Sequence, residues 1–135
     1  MSAKFQPVFA QLRDLLRAHA ASLSVTRDSE IYYGLEAPVG PATLRSWGGK
    51  VKAQRIPVAW VSVGKAYVSY HLMGVSGNEK LSGSLSEGLR KHMQGQSCFN
   101  FKVVNEPLFK ELAHVTGESL RGMRKAGFIS DVPAA

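Results

Sequence analysis

Apolar and polar residues alternate most regularly over residues 56–73, IPVAWVSVGKAYVSYHLM, where two β-branched and aromatic runs flank Gly64-Lys65. Period-two alternation on both sides of a glycine-containing break predicts a β-hairpin, and glycine at the first turn position suits a two-residue type II′ turn. In that register Val63 faces Ala66, Val61 faces Val68 and Ala59 faces Tyr70 on one side, a plain core face. The other side carries Val58 with His71, Trp60 with Ser69 and Ser62 with Tyr67, an aromatic and polar surface.

The flanking segments follow two other rhythms. Phe5, Val8, Phe9, Leu12, Leu15, Leu16 and His19 recur at three- and four-residue steps, which predicts an amphipathic helix of about four turns with Pro7 in its first turn. Residues 23–26 and 31–35 read as short strands around Arg27-Asp28-Ser29, 39–41 as a turn, and 43–47 as a further strand stopped by Gly48-Gly49. After a polar connection over 74–83, Ser84 and Glu87 stand at capping-box spacing. They open a predicted helix with Leu85, Leu89 and Met93 on its buried stripe and Gly95 at its end. Residues 97–104 form the next predicted strand, with Phe99, Phe101 and Val103 on one face and Cys98, Asn100 and Lys102 on the other. Asn105 then caps a final helix that starts with Glu106-Pro107 and runs to Gly127, although Gly117 and Gly122 weaken its second half. The expected fold is α+β, one antiparallel sheet packed by about three helices, in a single domain over 1–135.

Hydrophobic residues make up 44% and charged residues 20% of the 135, a balance that sustains a folded core and rules out a disordered tail. The net charge of +7 favours anionic partners. Arg45, Lys50, Lys52 and Arg55 form the densest basic segment and the candidate nucleic-acid patch, but no P-loop signature or interleaved aromatic platform accompanies them. Cys98 is the sole cysteine, which excludes an internal disulfide and a cysteine-based metal cage. No stretch reaches membrane-spanning length, and Gln11, Arg13, Asp14 and Arg17 interrupt the first apolar run, so the expected location is the cytoplasm. Serine-hydrolase, zinc-protease and dinucleotide motifs are absent. The one nucleophile pairing on offer is Cys98 with His71 or His92, and Cys98 follows a helix end, where no dipole would lower its pKa.

The runs YVSYHLM at 67–73, LSEGLRKHMQGQSCFNFK at 85–102 and LFKEL at 108–112 resemble the YdhG-like family of uncharacterised bacterial domains. Residues 93–101, MQGQSCFNF, are the most specific part of the likeness, which is weakest over 39–55. The resemblance implies a compact sandwich of helices on an antiparallel sheet, similar in shape to frataxin, and through that shape an iron-chaperone role for some relatives.

The residues themselves read as a binding module without chemistry and without a cofactor. Trp60, Tyr67, Ser69 and His71 on the mixed hairpin face are the candidate contact residues for a small polar or aromatic ligand or a protein partner. An iron-chaperone role and nucleic-acid binding through the basic segment are the alternatives. The 10 carboxylates are spread along the chain and the four histidines fall at 19, 71, 92 and 114, without the clustering a metal site needs. Anaerobic calorimetric titration with ferrous iron is therefore expected to show no tight site, and saturable micromolar binding at a defined stoichiometry would contradict that expectation.

Overall fold

The computed structural model describes residues 3–20, 23–38, 55–75 and 78–127. The turn expected at 39–41, the strand at 43–47 and the basic residues Arg45, Lys50 and Lys52 lie outside the described residues, as does the side chain of Arg55. The elements are α1 (Gln6–Arg17), β1 (Ser24–Asp28), β2 (Tyr32–Pro38), β3 (Arg55–Val63), β4 (Val68–Leu72), α2 (Glu79–Gly83), α3 (Glu87–Arg90), β5 (Met93–Gln94), β6 (Cys98–Phe101) and α4 (Glu106–Ala126), with 3-10 turns at Ala3–Phe5 and Met73–Val75. The strands form one six-stranded antiparallel sheet in the order β1-β2-β3-β4-β6-β5. The fold is thus α+β, with two long and two short helices among the described residues where about three were expected.

The long helices share one face of the sheet. Val8, Phe9, Leu12 and Leu16 of α1 and Phe109, Leu112, Val115 and Leu120 of α4 join Tyr33, Leu35, Val61, Val68, Tyr70, Phe99 and Phe101 in one buried cluster. Leu12, Val61, Val68, Phe99, Phe101 and Leu112, each on the apolar side of its element, are at most 1% exposed throughout. One polar link crosses this core. The Tyr70 hydroxyl meets Thr116 Oγ1 at 2.6 Å, and Thr116 donates in turn to the Leu112 carbonyl at 2.7 Å. A buried hydroxyl left unpaired would cost ~1–3 kcal/mol, so the pair fixes where α4 sits along β4.

The hairpin differs from expectation by two residues of register. Val63 pairs with Val68, Ser62 with Ser69, Val61 with Tyr70 and Trp60 with His71. The Gly64 N–H donates to the Tyr67 carbonyl at 2.9 Å, so Lys65-Ala66 and not Gly64-Lys65 form the turn, and Ala66 is exposed. Gly64 does not take a positive φ, which among the described glycines belongs to Gly95 and Gly127. Its small size serves another purpose, since a Cβ there would stand 3.1 Å from the Tyr67 carbonyl oxygen. A slip of two preserves every side chain's face, so the predicted faces survive while the partners change. Val58 is the exception. The ladder steps from Leu35↔Ala59 to Glu36↔Pro57, which makes Val58 the extra residue of a bulge and sends it into the core at 0% exposure.

The region after the hairpin departs further. The expected helix from Ser84 is only α3, capped by Ser86, whose hydroxyl accepts from the Leu89 N–H at 3.1 Å. Glu111 of α4 takes the Ser86 N–H at 2.8 Å and the Ser86 hydroxyl at 2.6 Å, a tertiary contact that outcompetes the local Ser84–Glu87 pairing. Gly95 is left-handed at φ 70°, as expected, but it turns β5 into β6 and does not end a helix. The connection expected over 74–83 holds α2, capped by the Asn78 side chain on the Leu81 N–H. Arg90 donates to the Ser82 and Gly83 carbonyls, so this cation serves the end of α2 and not that of its own helix. β6 stops at Phe101, and Val103 is 68% exposed, not in the core.

Of the glycines that weaken α4, Gly122 is a site of close approach and Gly117 has ordinary room around it. Gly117 faces the His19 ring, with 3.9 Å available to a Cβ, and a Cβ at Gly122 would lie 3.0 Å from Asn78 Nδ2. Asn105 caps α4 through the Leu108 N–H and Gly127 closes it at φ 82°, both as expected. Because Phe99 is fully enclosed on a central strand, Phe99→Ala is expected to cost about 3–5 kcal/mol of unfolding free energy. Urea denaturation measures this, and a loss below about 1 kcal/mol would mean that the Phe99 side of β6 is not core.

Candidate functional site

Side chains of β3, β4 and β6 alternate between the helix-covered face and the opposite one, and on the opposite face they are half-buried. The ladders set Gly34, Trp60, His71, Cys98 and Gln94 in one row across five strands, with Ser62, Ser69 and Asn100 in the next. Trp60 and His71 stand side by side on neighbouring strands, ring centroids 4.6 Å apart and planes within 14°, a stacked pair. Beyond Trp60 the row drops to Gly34, where a Cβ would collide with Thr26 Oγ1 at 2.8 Å and Tyr32 Cε1 at 2.9 Å. The Tyr32 ring and Thr26 thus close over the glycine, and Arg27 lies 5.2 Å above the Tyr32 ring.

On the other flank the polar groups join into a continuous chain. Ser69 Oγ donates to Asn100 Oδ1 at 2.8 Å, and Asn100 Nδ2 donates to Gln94 Oε1 at 2.9 Å. The Tyr67 hydroxyl donates to the same Gln94 oxygen at 3.3 Å. Cys98 Sγ approaches Asn100 Oδ1 at 3.3 Å and His71 Nε2 at 3.8 Å, which links the amide chain to the aromatic stack. The four candidate residues Trp60, Tyr67, Ser69 and His71 are therefore brought into one connected surface. Tyr67 sits in the hairpin loop and reaches across to Gln94, not opposite Ser62 as the two-residue turn implied.

Asn100 and Gln94 are the members that sequence reasoning missed. The alternation of β6 already put Asn100 and Cys98 on the side away from Phe99 and Phe101, but only the β4–β6 ladder makes that side continuous with the hairpin. Gln94 was hidden because β5 is two residues long and follows α3 directly.

The centre of the surface consists of neutral groups, with Arg27, paired to Gly34, adding a cation at its β1 end. Burial pushes the His71 imidazole below its ordinary 6.5, which favours the uncharged ring against Trp60. Burial also pushes the Cys98 thiol above its ordinary 9.0, an effect only partly offset by the Ser69 hydroxyl. A nucleophilic pair would need the opposite shifts, a depressed thiol beside a charged imidazole. His92, the other candidate partner, is committed elsewhere: its Nδ1 lies 2.8 Å from the Asn100 carbonyl and its ring stacks on Phe101 at 4.4 Å. Among the described residues no three of His, Cys, Asp and Glu come close enough together to hold a metal ion. No protein-family model matches the chain, and neither a curated protein nor a solved structure matches it.

Because the folded-state pKa of His71 lies below its unfolded value, the stability it contributes is present above about pH 6.5 and is lost as pH falls through the lower folded value. His19, pushed down by burial and by Arg124, acts in the same direction. The urea midpoint should fall between about pH 7 and about pH 5. His71→Gln should flatten part of that fall, and an unchanged slope in the variant would show that His71 is not the group being titrated.

Proposed function

We propose that this protein is a non-enzymatic binding module whose contact surface is the sheet face opposite the long helices, centred on Trp60, Tyr67, Ser69 and His71. The observation that carries this reading is the hydrogen-bonded chain from Tyr67 through Gln94, Asn100 and Ser69, joined by Cys98 to the Trp60–His71 stack. Aromatic side chains held by neighbours bring contact area at small entropic cost, and the amides fix hydrogen-bonding directions in advance. The neutral centre of the surface, with Arg27 only at its β1 end, favours a small polar or aromatic ligand. A partner protein that buries the same face is the other occupant.

The resemblance to YdhG-like bacterial domains belongs to the same proposal, supported by a sheet that packs helices on one side. Of its implications, an iron-chaperone role lacks a gathered ligand set among the described residues. A nucleic-acid role through Arg45, Lys50, Lys52 and Arg55 rests on residues whose side chains lie outside the described ones. A cytoplasmic location accords with the free thiol of Cys98, and among the described residues no helix is long and apolar enough to cross a membrane.

A thermal-shift screen of the purified protein against metals, nucleotides and metabolites identifies the ligand, since anything that binds the native state raises its melting temperature. Trp60→Ala and Tyr67→Ala are expected to abolish that shift while the circular dichroism spectrum stays native. A ligand that shifts both variants as much as the parent protein would remove this face from consideration, and so would global unfolding of both.

A further inference from the structure

A groove far from this face runs between the short helix α2 and the second half of α4. Asn78 and Lys80 stand on one wall and His114, Glu118, Arg121 and Lys125 on the other, around a cavity of about 680 Å³. The walls come close because α4 has glycine at position 122, where a Cβ would press on Asn78 Nδ2 at 3.0 Å. Asn78 Oδ1 is taken by the Leu81 N–H, which leaves its amide nitrogen on the α4 side.

Charge in the groove is lopsided, with Lys80, Arg121 and Lys125 against the single carboxylate of Glu118. Glu118 accepts a hydrogen bond from Arg121 three residues on, and both partners sit toward solvent. That bond, followed by the charges of Arg121, His114 and Lys80, holds the Glu118 carboxyl below its ordinary range. Cations that line the groove beside one carboxylate also stand where they can stabilise an incoming anion. An exposed ion pair within one helix turn is weak, so Arg121 can exchange its partner at little cost.

We propose that this groove binds a compact, multiply charged anion of the phosphate type through Lys80, Arg121 and Lys125, displacing Glu118 from Arg121. The planar fork of arginine suits phosphate oxygens, and the two lysines add point charges from opposite walls. Convergence on one volume favours a small anion over an extended one, because α2 is only 5 residues long and offers no continuing stripe for a polymer. The site is independent of the sheet face and shares no residue with it.

Titration of the full-length ¹⁵N-labelled protein with inorganic pyrophosphate at fixed ionic strength tests the proposal. Saturable amide shifts are expected over residues 78–84 and 118–127, and the Lys80→Ala, Lys125→Ala double variant should weaken binding about tenfold or more. Glu118→Gln removes the competing charge and should tighten binding about threefold or more, an outcome that a purely structural Glu118–Arg121 pair would not give. Repeating the titration with sulfate and with inorganic phosphate separates recognition of the phosphate group from recognition of charge alone. Unsaturated shifts shared with Lys65 and Lys102 would overturn the site. So would unchanged or weaker binding by Glu118→Gln, sulfate binding as tightly as both phosphate anions, or a silent pyrophosphate titration beside binding of an acidic peptide or oligonucleotide.

Discussion

A sheet covered by helices on one face gives each strand position two fates, and the register of β3 against β4 decides them for the whole molecule. That ladder lies at the centre of the sheet, with β2 on one side and β6 on the other. Slipping β4 by one residue against β3 would turn Val68 and Tyr70 toward solvent and drive Ser69 and His71 under α1 and α4. Burying Val61 and Val68 alone accounts for ~1.5–3 kcal/mol each, and the Tyr70–Thr116 bond adds a directional constraint that only one register satisfies. The core and the half-buried aromatic surface are two sides of a single choice.

The same constraint explains which parts of the fold were legible in the sequence. The faces of the hairpin could be read from alternation, because parity survives a slip of two residues. Which residues meet across the strands could not be read, because Lys65-Ala66 turns without a positive φ and leaves no glycine signature. The caps of α4 were legible because Asn105 and Gly127 act within a few residues of themselves. The cap of α3 was not, since Ser82, Ser84 and Ser86 are locally similar and Glu111, from 25 residues away, selects among them. Gly122 looked like a weakness in α4 because helix propensity counts only the helix itself, whereas the close approach of Asn78 is what sets its size.

The candidate surface followed the same division. Trp60, Ser69 and His71 were placed on one face by their spacing alone, but the chemistry of that face depends on β6, whose Asn100 and Cys98 complete it. The thiol and imidazole stand near each other with their protonation pushed the wrong way for attack, which sets this pair apart from an activated nucleophile. Asn100 holds Ser69, Cys98 and Gln94 together through one amide, and the shape of the surface accordingly depends on a residue that the alternation of β6 placed on this side without assigning it a part.

The two outer strands of the described sheet bear on how the molecule meets others of its kind. β5 exposes ladder groups over only two residues before Gly95 turns the chain back. β1 carries a bulge at Thr26, where its pairing steps from Val25↔Leu35 to Arg27↔Gly34, and it ends in the charged pair Arg27-Asp28. A short edge at one border and a kinked, charged edge at the other offer no straight row of donors and acceptors for a strand from a second molecule to extend. Even with an exposed Val25 on β1, strand-by-strand growth into an aggregate is blocked at both borders, and encounters between molecules are left to the flat face and to the helices.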